Sequence, residues 1–205
     1  MFLGLTAVSP AADTLQEARV RIAMADPVTC DVTASFAVAL DRGGDIEQRL
    51  QRLEGSGVHL LGITGVEQST PPRTVGVTEV LVIRFPSPGT HRYEIRYRVT
   101  QPDEWAYRCP VWLPAIPADG RSRNVMIEVT LPPAALPAGG AFPGFEWEDG
   151  VARAVLGNVP AFIRLPFTTP GQASPAARDL GRIMDIAAVG VLVAGTALWA
   201  ARRRR

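Results

Sequence analysis

The sequence has no lysine at all: its 21 basic residues are all arginine, set against 20 acidic residues for a net charge of +1. With the signs so evenly matched and no basic stripe, the chain offers no footprint to a phosphate backbone, and nucleic acid is not an expected partner. Histidine and cysteine are scarce, two of each. Zinc asks for three or four ligands, so Cys30 and Cys109 cannot hold one unaided. There is no G-x-S-x-G, no H-E-x-x-H, no glycine-rich phosphate loop and no paired-cysteine metal motif. His59 lies in an apolar stretch and reads as structural, and His91 follows a turn and reads as solvated. The acids at Asp103 and Glu104, and at Glu146, Glu148 and Asp149, read as solvated turn faces. No catalytic residue, metal or cofactor is therefore expected, and the chain reads as not an enzyme.

What the sequence does have is a long apolar run near its C-terminal end. Residues 186–201 carry no charge and would make about 24 Å of helix at about 1.5 Å per residue. Adding Ile183 and Met184 approaches the roughly 30 Å of a bilayer's hydrocarbon core. The run has no polar stripe, Trp199 stands where aromatic anchors favour the interface, and Arg202, Arg203, Arg204 and Arg205 stop it. The expectation is a single transmembrane helix over 183–201, with the lipid bilayer as partner. The arginine block, residues 202–205, stays cytoplasmic and the rest of the chain lies outside, periplasmic or extracellular. Asp185 near the outer end reads as an interfacial carboxylate within reach of Arg182, or as a partner for a basic residue on another subunit. Gly190 and Ala194 form a small-xxx-small step that would let helices approach closely.

Residues 1–12 (MFLGLTAVSPAA) hold a short apolar run followed by small residues, which resembles the end of a secretory signal without its basic start; a frayed segment is the other reading. An even cysteine count in an exported chain favours a Cys30–Cys109 disulfide, with two inert buried thiols as the alternative. Residues 168–182, rich in Pro, Ala and Gly, read as a stalk.

Between these ends, residues 13–167 alternate mostly with period two, the mark of half-buried strands. Val20, Ile22 and Met24 share one face; so do Val32, Ala34, Phe36, Val38 and Leu40. Tyr93, Ile95, Tyr97 and Val99 point one way, and Arg92, Glu94, Arg96 and Arg98 the other. The strand over 75–85 and the strand over 90–100, joined by Pro86-Ser87-Pro88-Gly89, read as a hairpin. Residues 45–54 (DIEQRLQRLE) are the one helical period, with Ile46, Leu50 and Leu53 on a face. About nine strands with frequent turn signals predict an all-β, antiparallel sandwich.

Residues 101–121 lack a period and hold the densest aromatic cluster. They read as a loop folded on the sandwich edge, or as a protein-binding surface made by Trp105, Tyr107, Arg108 and Trp112. Leu165-Pro166-Phe167-Thr168-Thr169 looks like a sortase sorting signal with Thr169 in place of its glycine. The run THRYEIRYRVTQPDEWAYRCPVWLPAIPADGRSRNVMIEVTLPP from Thr90 resembles the outward domain of bacterial predicted membrane proteins of unknown function, over residues 90–170. That resemblance implies an immunoglobulin-like fold and supplies no active-site residue. The expected function is a membrane-anchored extracytoplasmic binding or accessory module of an envelope protein assembly. A surface protein with a cleavable C-terminal sorting tail, or an extracytoplasmic hydrolase of envelope polymers, are the alternatives.

Overall fold

The computed structural model describes residues 13–101, 106–119, 123–148 and 150–168. The secretory-signal residues 1–12, Trp105, the stalk beyond Thr168, the apolar run with Asp185, Gly190 and Ala194, and Arg202 to Arg205 lie outside them. Among the described residues every regular element is a strand, and no helix is long and apolar enough to cross a membrane. The strands are β1 (Thr14–Met24), β2 (Thr29–Leu40), β3 (Gly44–Gln51), β4 (Gly57–Thr64), β5 (Gln68–Ser69), β6 (Arg73–Val75), β7 (Thr78–Phe85) and β8 (Gly89–Thr100). They continue with β9 (Ala106–Pro110), β10 (Leu113–Pro114), β11 (Val125–Thr130), β12 (Leu136–Pro137), β13 (Glu146–Glu148), β14 (Val151–Leu156) and β15 (Phe162–Thr168). The described residues are all-β, as their period-two pattern predicts.

A seven-stranded sheet runs in the order β13-β14-β11-β1-β2-β8-β4. Its pairs are antiparallel except β1 with β11, which run parallel from Ala18 opposite Val125 to Ala23 opposite Thr130. A second sheet orders β10-β3-β7-β5, with β6 also on β7, and a third orders β12-β15-β9. The inward positions of all three meet in one core: Val20, Phe36, Ile95 and Ile127 from the first, Leu50 and Ile83 from the second, Tyr107 and Ile163 from the third. Three sheets around one shared core are consistent with the expected sandwich.

Two local expectations are corrected. Residues 45–54 do not form a helix; residues 44–51 are β3, paired with β7 from Gly44 opposite Phe85 to Gln51 opposite Thr78. Ile46, Gln48 and Leu50 all point inward and are buried, a period of two. Gln48 hides that period because it is polar, and Ile46 and Leu50, four apart, then mimic a helical face. Nor do β7 and β8 form a hairpin. Each pairs in a different sheet, β7 with β3 and β8 with β2. Residues 41–43 and 86–88 are both corners where the chain changes sheet. They stack on each other so closely that a Cβ on Gly43 would sit 2.5 Å from the Pro86 carbonyl oxygen, which only glycine permits.

Candidate functional site

The outer face of the large sheet is polar, and its relief follows from side-chain size on three neighbouring strands. Register places Arg19 of β1, Ser35 of β2, Glu94 of β8 and Thr64 of β4 in one row across the sheet. The row above is Glu17, Ala37 and Arg92; the row below is Arg21, Thr33 and Arg96. The middle strand thus presents Thr33, Ser35 and Ala37, all small. Its neighbours on both sides present long charged side chains. Small residues flanked by long ones make a trough along β2, with β1 and β8 as walls. The cavity there holds about 380 Å³ and is lined by these residues other than Thr33 and Arg96, together with Gly65. Gly65 has φ +78°, and a Cβ on it would lie 2.5 Å from the Arg92 carbonyl oxygen, so the rim beside Arg92 is closed by a residue that must be glycine.

The charges in the trough are unevenly satisfied. Arg21 Nε lies 3.3 Å from Glu128 Oε2 on β11, on the side of β1 away from the trough. Arg96 Nε lies 3.8 Å from Glu94 Oε1, and the Ser35 hydroxyl donates to Glu94 Oε2 at 3.2 Å. One end of the β2 floor is closed by the pair of Arg98 with Asp31, two hydrogen bonds of 2.7 and 3.1 Å. Those bonds hold the Asp31 carboxyl below its usual range. Arg19, by contrast, keeps a buried Nε with no hydrogen-bond partner. A second hollow of about 540 Å³ lies between Asp45, Arg84 and the 68–73 segment. There Arg84 and Asp45 already neutralise each other through bonds of 2.7 and 2.9 Å, so its walls have less to offer a ligand.

The aromatic segment is placed elsewhere. Tyr107 and Trp112 are fully buried; Arg108 is exposed. The Tyr107 hydroxyl donates to the Val99 carbonyl at 2.9 Å, and the Tyr97 hydroxyl to that of Pro110 at 2.9 Å. Burial pushes both tyrosine hydroxyls up, so they stay protonated donors. These side chains pack the third sheet against the first. Cys30 and Cys109 sit beside them, both buried, with sulfurs 3.9 Å apart as free thiols; burial raises the Cys109 thiol first of all, and its neighbour Cys30 adds to this. His91 donates from Nε2 to the Ser87 carbonyl at 2.9 Å and packs on Phe85. His59 is exposed on β4. Among the described residues no three His, Cys, Asp or Glu side chains gather as a metal site would require.

No family model and no curated protein matches the sequence. Solved structures do resemble the fold. An M1 zinc metallopeptidase from Deinococcus radiodurans aligns at 14% identity with a TM-score of 0.42, over 76% of this chain and 42% of that one. Native yeast LTA4 hydrolase aligns at 10% identity with a TM-score of 0.43, over 75% and 29%. Its complex with bestatin gives 11% and 0.45, over 77% and 29%. This chain spans less than half the length of these structures. The finding overturns the expectation of an accessory module without catalysis, and of a non-enzyme, because the structures found are hydrolases. The likeness concerns the sheets alone, and no residue's role is carried over from it.

The outward charged residues of β8 are legible in the sequence, but the trough is not. Finding it needs the register that sets β1 and β8 on either side of β2. The available signal was three small outward residues, Thr33, Ser35 and Ala37, in a strand whose other face is large.

Proposed function

We propose that the β-domain is a substrate-holding domain that grips an extended chain segment in the trough along β2. The observation that carries this is the row of small outward residues between two walls of long charged ones. From Thr33 to Ala37 the floor is about 14 Å long at about 3.4 Å per residue, which suits four or five residues of an extended peptide. No bond-breaking step is assigned to the trough residues; their part is to bind and orient. The reading also retains the expected sandwich architecture and membrane attachment. Residues 183–201 serve as the membrane helix, with the domain outside, on the strength of their apolar composition.

The test is a titration of the detergent-solubilised full chain with fluorescent hexapeptides, comparing the wild type with Ser35→Trp. The Ser35 side chain points away from the core, so the indole fills the trough and leaves the packing intact. Binding lost in Ser35→Trp, with an unchanged thermal midpoint, is the expected result. Equal binding by both proteins would refute the trough as the site. Attachment is checked separately: the chain should stay with membranes through an alkaline carbonate wash.

A further inference from the structure

Resting on the trough as the ligand site, we infer that Arg19 and Arg92 form a subsite for a carboxylate on the bound chain. Arg21 and Arg96 are held by Glu128 and Glu94. Arg19 and Arg92 have no carboxylate within 4 Å among the described residues, and the Arg19 Nε is buried with nothing to donate to. A buried donor without an acceptor is a standing cost that an arriving acceptor relieves. The two stand on opposite walls: Arg19 is opposite Ser35 and Arg92 opposite Ala37, two residues along the floor. Strand spacing of about 4.8 Å puts the walls about 10 Å apart, a gap that two inward-leaning guanidinium groups close on one carboxylate. The planar fork of arginine suits that group.

The same trough limits how negative the ligand can be. Glu17 shares a row with Arg92, and Glu94 stands opposite Ser35. Two carboxylates beside two free guanidinium groups favour a single negative charge over a dianionic phosphate. The ligand class is thus an extended peptide with an acidic side chain, not a phosphorylated one.

Two fluorescent hexapeptides of alternating Val and Thr, with either Glu or Gln at one central position, test this on the solubilised full chain. The Glu peptide should bind about tenfold tighter. Arg19→Gln and Arg92→Gln should each bring it to the level of the Gln peptide, and Arg42→Gln, at the distant corner, should leave it unchanged. A phosphoserine peptide should bind no tighter than the Glu peptide. If Glu and Gln peptides bind alike, yet both are lost in Ser35→Trp, the carboxylate subsite is overturned and the trough stands. If the phosphoserine peptide binds best, the subsite takes phosphate and the carboxylate assignment falls. If Ser35→Trp binds as the wild type does, the trough itself falls, and the subsite with it.

Discussion

The strands β1, β2 and β8 have two faces, and adjacent residues on them do opposite jobs. Phe36 points inward, is 2% exposed and stacks on Tyr93 with ring centroids 5.2 Å apart. Ser35, one residue away, points outward and is half-buried on the trough floor. The inner face is made of large apolar side chains because close packing there supplies most of the folding energy. The outer face is free of that demand, so its side-chain sizes and charges can answer to a ligand. The sharpest way to break the comparison is to truncate both. Phe36→Ala should cost about 3–5 kcal/mol. Ser35→Ala should stay within about 0.5 kcal/mol. Urea unfolding of the two variants measures both, and similar losses would show that the outer face carries the fold as well.

The next effect concerns the seam between the first and third sheets. We propose that Cys30 and Cys109 form a disulfide where the surroundings are oxidising, each thiol giving up a proton and an electron to an oxidant such as oxidised glutathione. The sulfurs already touch, 79 residues apart in sequence. Closing such a loop stabilises by about 4.5 kcal/mol at most in the chain-entropy model and more often by about 2–4. The oxidised protein should lose two hydrogens in intact mass and melt higher than the reduced protein. In the reduced protein both thiols should resist iodoacetamide until unfolding, since they are buried and the Cys109 thiol is pushed up. Alkylation of native, reduced protein would contradict the closed seam.

A smaller effect lies where the second sheet meets the first. Gln48 Nε2 donates to the Tyr93 hydroxyl at 2.6 Å in an otherwise apolar layer, and Gln48 Oε1 has no partner. Tyr93→Phe removes the acceptor and should cost about 1–3 kcal/mol. Adding Gln48→Leu should recover part of that loss, because both polar groups are then gone. A double-mutant cycle by urea unfolding gives the coupling; additive losses would mean that the two side chains act independently.

Gln48 also shows where the sequence stopped being legible. The alternation in 20–24, 32–40 and 93–99 was readable because every inward residue there is apolar, and those faces are the buried ones. In β3 one inward glutamine broke the alternation, and a helix looked the better fit. Turn signals at 41–43 and 86–88 were equally plain, but a corner between sheets and a hairpin use the same residues. What separates them is the partner strand, and pairing is long-range. The aromatic run at 105–112 resembled an interface by composition, yet the described aromatics are in the core. Exposure is decided by what packs on a segment, and here that is the β8 strand through Val99 and Tyr97. The trough needed register twice over, from β1 to β2 and from β2 to β8, and no local pattern supplies it.

The smallest effect belongs to the charged end of the outer face, and its sign with pH is fixed. Arg98 holds Asp31 through two hydrogen bonds at the surface, keeping the carboxyl below its ordinary range. The unfolded chain protonates near pH 3.9, about the usual aspartate value. The pair's contribution is therefore complete above that pH and disappears as pH falls through the lower folded value. Both side chains are about half exposed, so screening keeps the contribution small. Asp31→Asn should melt slightly below wild type at neutral pH, and the two curves should converge in acid once pH has fallen through the carboxyl's lowered folded value. The difference should also shrink in about 1 M salt. A gap that persists unchanged in acid would mean that Asp31 acts through its shape at the end of the β2 floor rather than through its charge.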